Sequence, residues 1–168
     1  MTLETIAVAM ASFLSTPHAW WLVLPGTAIS CGIVCTATRL GLISSLHWLA
    51  WAVLVASTVA LSRYEFTPGG VGLRSWPLVA VACVVCLPFL RRVGAAVAAS
   101  ATFLSALCVD LVMNWAHLGG GIVTPQNVMS SIGAGGWLER LWLDPLVVTV
   151  AALALGAGRA QVDWDSRR

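Results

Sequence analysis

Lysine is missing from this chain of 168 residues, and charge of any kind is scarce: Asp, Glu, Lys and Arg together make up 10% of it, against about a quarter in an ordinary soluble domain. Nine arginines and seven acids leave a net charge of +2, too thinly scattered to track a phosphate backbone, so no nucleic-acid partner is expected. Disorder and a collagen-like chain are excluded by the same composition. The local signatures of common enzymes are lacking too. There is no G-x-S-x-G, no H-E-x-x-H and no phosphate-cradling G-x-x-x-x-G-K. What the chain has in excess is apolar surface: 59% of its residues are hydrophobic and its mean hydropathy is +0.89. That arithmetic belongs to an integral membrane protein whose partner is first of all the lipid bilayer.

A helix needs roughly 17–25 mostly apolar residues to cross a bilayer core. Stretches of that kind run from Trp20 to Thr38, Leu40 to Ser62, Val93 to Trp115 and Trp142 to Gly158, with a shorter one from Trp76 to Leu90. Charged breaks at Arg39, Arg63, the pair Arg91 and Arg92, and Arg159 separate or end them. Thr5 to Leu14 is too short to cross and reads as an interfacial helix; it is also a poor signal peptide, carrying Glu4 and no cation. The expectation is an all-α fold: one polytopic bundle over residues 1–168, about five spanning helices, a short interfacial N-terminal helix and a Gly-rich outer loop.

Orientation follows from the arginines. With the N-terminus outside, Arg39, Arg91, Arg92, Arg159, Arg167 and Arg168 lie on the cytoplasmic side, and Arg63, Arg74 and Arg140 lie outside. Trp20, Trp21, Trp76, Trp115, Trp137 and Trp142 then form an outer interfacial belt. The inverted topology puts that belt on the inner face and remains the alternative. Arginine as the sole cation suggests GC-rich coding, hence a bacterial source and the inner (plasma) membrane. Two loops are long in this layout. Arg63 to Ser75 carries the turn signal Thr67-Pro68-Gly69-Gly70 and reads as a connection. Residues 116–141 offer Thr124 and Pro125 as a helix start and Gly133 as its end, a turn or two lying on the membrane surface.

Few residues can carry chemistry. Asp110, Asn114 and His117, spaced i, i+4 and i+7, share one stripe near the outer end of the fourth span, and an acid within a span is a functional candidate by default. His18, Arg63 and Arg74 fall at the same expected depth and can close a polar cluster, whereas His47 lies far deeper in its helix. The functional reading is a proton, ion or small-ligand site; the structural one is a hydrogen-bonded pin between helices. A metal held by His18, His117 and Asp110 is the weakest version, and neither a metal nor another cofactor is expected.

Five cysteines, Cys31, Cys35, Cys83, Cys86 and Cys108, all fall within spans, which is no disulfide framework. Cys83-Val84-Val85-Cys86 resembles the membrane C-x-x-C of the vitamin K epoxide reductase type of thiol oxidoreductase, and Gly26 to Cys31 resembles the stretch around that family's loop cysteine. The resemblance implies a redox pair at Cys83 and Cys86. The second, aqueous loop pair through which those enzymes relay electrons has no counterpart here.

Small residues repeat every fourth position at Ala52, Ala56 and Ala60, at Gly94 and Ala98, at Ala95 and Ala99, and at Ala152 and Gly156. Such faces serve packing within the chain or dock a partner. The leading expectation is a non-enzymatic accessory subunit of a larger membrane complex, bound to another membrane protein or to its own copies. A small transport or binding protein using Asp110, Asn114, His117 and His18 is the alternative, and a thiol oxidoreductase using Cys83 and Cys86 the second.

Overall fold

The computed structural model describes residues 3–17, 19–67, 70–86, 92–117 and 140–165. They form helices α1 (Leu3–Leu14), α2 (Leu24–Arg39), α3 (Ser45–Leu61), α4 (Leu78–Cys86), α5 (Arg92–Ala116) and α6 (Arg140–Asp165). A π-helical turn, Ala19–Val23, leads into α2, and strands β1 (Arg63–Thr67) and β2 (Gly70–Arg74) stand between α3 and α4.

The ends of the elements are chemically determined. The last carbonyls of α1 have no intrahelical donors, and side chains supply them: Ser15 Oγ donates to Ser12 O, Thr16 Oγ1 to Phe13 O, and Trp20 Nε1 to Leu14 O at 2.7 Å. Pro25 stands in the first turn of α2, where its missing N–H costs nothing. Gly41 ends that helix at φ +70°, with the Leu42 N–H reaching Ala37 O and the Gly41 N–H reaching Thr38 O. Leu42, Ile43 and Ser44 turn the chain into α3, with the Ser44 N–H donating to His47 Nδ1. The apolar stretch Leu40 to Ser62 is therefore helical over 17 residues, Ser45–Leu61.

Two stretches are long and apolar enough to cross a membrane, Trp20–Arg39 (20 residues) and Gly94–Ala116 (23 residues). Ser45–Leu61 and Leu141–Leu155 are apolar but shorter, and the helix within the expected third span has nine residues. Of the five expected crossings, two thus have a helix of crossing length among the described residues. The fold is helical, as expected, apart from one departure. The Arg63 to Ser75 connection is an antiparallel hairpin whose register pairs Arg63 with Arg74, Tyr64 with Leu73 and Thr67 with Gly70. The short helix expected between Thr124 and Gly133 lies outside the described residues, as does Trp137.

Helix α5 is the hub, packing against α2, α3, α4 and α6. Toward its C-terminal half Phe103, Ala106 and Leu107 meet Phe13, Leu22, Val23 and Leu141; nearer its N-terminus, Ala98 meets Ala80 and Val148. Gly26 lets α2 approach closely, since a Cβ there would lie 2.6 Å from the Phe103 ring. Ala95, Ala98 and Ala99 of α5 and Ala152 of α6 take part in this packing.

Within the longer helices several hydroxyls bond in the same way. Thr27, Thr38, Thr58, Thr102, Ser105 and Thr149 each donate to the carbonyl four residues back in their own helix. Among the described residues no buried side-chain polar atom lacks a partner. Large apolar side chains, by contrast, face outward on every long helix: Ile29 is 63% exposed, Leu46 72% and Leu153 68%.

Candidate functional site

The C-terminal end of α5 and the hairpin build one polar site. Asp110, Asn114 and His117 do share a stripe there, because 100° per residue returns positions i, i+4 and i+7 to one face. The hairpin brings Tyr64 over that stripe from 50 residues away, and its hydroxyl donates to Asn114 Oδ1 at 2.6 Å. Its ring meets the His117 imidazole edge to face, centroids 4.9 Å apart and planes at 77°. His117 Nδ1 lies 2.9 Å from Met113 O on its own helix, which places the proton on Nδ1 when the ring is neutral. Asn114 is buried and Asp110 half-buried.

Electrostatics tie the fourth member in. Burial pushes the Tyr64 hydroxyl above its ordinary pKa of 10.0, and the negative charge of Asp110 pushes it in the same direction. A neutral phenol is what the site needs, since only the protonated hydroxyl can donate to the amide oxygen. Arg63 and Arg74 face each other at the open end of the hairpin, and neither they nor Asp110 are without a polar partner. Like charges opposed across a strand pair would otherwise weaken it.

The remaining expected residues fall elsewhere. His18 lies outside the described residues. His47 is at the opposite end of the bundle, where Nδ1 accepts from the Ser44 N–H at 3.1 Å and sits 2.7 Å from Ser44 Oγ, so it serves as a helix cap. Cys83 and Cys86 lie one turn apart on α4 as free thiols; Cys83 is half-buried with Sγ 3.8 Å from Ala98 O, and Cys86 is exposed. No group of three or more His, Cys, Asp or Glu among the described residues is placed to hold a metal.

Two residues were invisible to the sequence reading. Tyr64 was passed over as part of a linker, although Arg63-Tyr64-Glu65-Phe66-Thr67 alternates polar and aromatic residues before a Pro-Gly-Gly turn, which is a hairpin signal. Asp144 was hidden inside the fifth expected span. It is 7% exposed on the core-facing stripe of α6 between Leu141 and Val148, and it is not without a partner. An acid followed by proline within an apolar run was the available signal. The arrangement as a whole can pin the hairpin to α5; it presents no nucleophile paired with a base. Comparison of the chain with protein-family models, curated proteins and solved structures gives no match.

Proposed function

We propose that the chain is a multi-pass membrane protein, set in a bacterial inner membrane with its N-terminal end outside, that acts as a non-enzymatic accessory subunit of a larger membrane assembly. One observation carries the reading. Ala95, Ala98 and Ala99 of α5 and Ala152 of α6 pack against neighbours within the chain, but Ala52, Ala56 and Ala60 of α3 are all exposed, and Thr58 is the one buried residue of that helix. In lipid, helices associate where small residues let backbones approach. A face of this kind left open by its own chain fits a second membrane helix, from a partner or from another copy.

On this reading the outer polar stripe has a structural task. Tyr64, Asn114 and His117 hold the hairpin on α5, and Asp110→Asn alters stability without abolishing a transport activity. The C-x-x-C on α4 is packing, so alkylation after oxidant gives no mobility shift that Cys83→Ser removes.

The test is purification of the full chain in a mild detergent, with and without Ala56→Trp. The wild type is expected to co-elute with a stoichiometric membrane protein or with itself, and Ala56→Trp to elute as a smaller particle with an unchanged helical spectrum. A wild-type chain that elutes as a solitary monomer overturns the proposal.

A further inference from the structure

Toward the far end of α2, away from the polar site, an apolar groove of about 260 Å³ opens between α2 and α5. Gly32, Thr36 and Ala37 of α2 line it together with Leu40, Leu42 and Ala96. It lies just under the roughly 300–1,000 Å³ of pockets that enclose compact small molecules. Glycine makes part of the space: a Cβ at Gly32 would meet nothing within 4 Å.

An apolar trough alone would select nothing in a membrane, because lipid tails are as apolar as the trough. Charge at its end supplies a preference. Gly32, Thr36 and Arg39 stand at i, i+4 and i+7 on one stripe of α2, and Arg39 is exposed. Helical side chains lean toward the N-terminus of their helix, which directs Arg39 back toward the turn that Thr36 occupies. Arg92 begins α5 one turn before Ala96, at the same end of the bundle. A guanidinium pairs with phosphate oxygens through parallel charge-assisted hydrogen bonds. Under the topology proposed above, this end faces the cytoplasmic leaflet, where anionic lipids accumulate.

The geometry points to a seat for one anionic phospholipid, with an acyl chain in the α2–α5 groove and the phosphate against Arg39. This rests on the membrane reading but not on the accessory-subunit reading.

The full chain, purified in dodecyl maltoside, is incubated with dioleoyl phosphatidylglycerol or dioleoyl phosphatidylcholine, and retained lipid is counted by native mass spectrometry. The wild type is expected to retain one phosphatidylglycerol about tenfold better than phosphatidylcholine. Gly32→Leu, which fills open space without a clash, is expected to lose both; Ala96→Leu, entering from the other wall, repeats the result. Arg39→Gln is expected to keep lipid but lose the tenfold preference, and excess inorganic phosphate is expected to leave wild-type retention unchanged. Equal retention of the two lipids by the wild type overturns the proposal, as does a preference that survives Gly32→Leu or Arg39→Gln, or phosphatidylglycerol that free phosphate displaces. A chain that stays monodisperse without detergent is a separate result and overturns the membrane reading itself.

Discussion

Tyr64 donates its hydroxyl proton to an amide oxygen on a residue 7% exposed, so removing that proton deletes one contact of Asn114, which has a further interaction of its own. A hydrogen bond of this kind contributes about 0.5–1.5 kcal/mol net. Tyr64→Phe keeps the ring on His117 and is expected to lower unfolding stability by that amount in detergent. In a double-mutant cycle, Tyr64→Phe and Asn114→Ala are expected to be non-additive; additive effects would remove the pair from the argument. The phenol also gives the protein a pH limit. Its pKa in the fold is raised above 10.0, by burial first and by Asp110 second. Below pH 10 both folded and unfolded chains hold the proton and the contribution is complete; above it the unfolded chain ionises first, and the contribution is lost as pH rises through the folded value. Unfolding midpoints measured from pH 9 to 12 are expected to fall more steeply for the wild type than for Tyr64→Phe. Gly26 obeys a different constraint at the same scale. Alanine is the better helix former by up to about 1 kcal/mol, but its Cβ would stand 2.6 Å from Phe103 Cζ in a packed core. Overpacking, at about 1–3 kcal/mol, outweighs propensity. Gly26→Ala is expected to destabilise, and Phe103→Leu to restore part of the loss; a stabilised Gly26→Ala would mean that the helices separate freely.

Among the elements, α3 is held most loosely. Thr58 is its one buried residue, and its polar link to the hub is Trp51, whose Nε1 donates to Ser105 Oγ at 2.8 Å with Ala101 O at 3.3 Å. Hydrogen bonds between membrane helices average about 0.6 kcal/mol and reach about 1.7. Trp51→Phe is expected to cost within that range and to raise amide exchange in α3 before α5 or α6; uniform exchange across the bundle would show that α3 opens only with the whole. The elements also mark what could be read in advance. Asp110, Asn114 and His117 were legible because helical spacing is local arithmetic, and Arg39 marked the end of α2 because a charge stops an apolar run. The start of α3 was not legible, since Leu40, Leu42 and Ile43 are as apolar in a turn as in a helix; the turn shows itself in the positive φ of Gly41. Tyr64 was out of reach for another reason, since its partner lies 50 residues away and no periodicity spans that gap. The same holds for Asp144, whose burial depends on how α6 rotates against α5.

At the scale of the molecule, the described residues enclose an apolar core yet also carry large apolar side chains on the surface. Trp21 at 66%, Leu49 at 61%, Val85 at 64% and Leu146 at 57% exposed stand on four different helices. Soluble monomers rarely expose contiguous apolar patches beyond about 300–600 Å². The helices α2, α3 and α5 run between two ends. One holds the Tyr64 site and the hairpin, the other the Ser44 turn and the start of α5, so any membrane crossing separates Thr67 from Ser44. In a cysteine-free background, Thr67→Cys is expected to react with an impermeant maleimide in intact cells, and Ser44→Cys only after permeabilisation. The opposite order inverts the topology, transferring Arg39 and the α2–α5 groove to the outer leaflet, away from the anionic lipid that would fill it. Reaction at both sites in intact cells would place no bilayer between them, and the outward-facing leucines and valines would then require a protein coat instead of lipid.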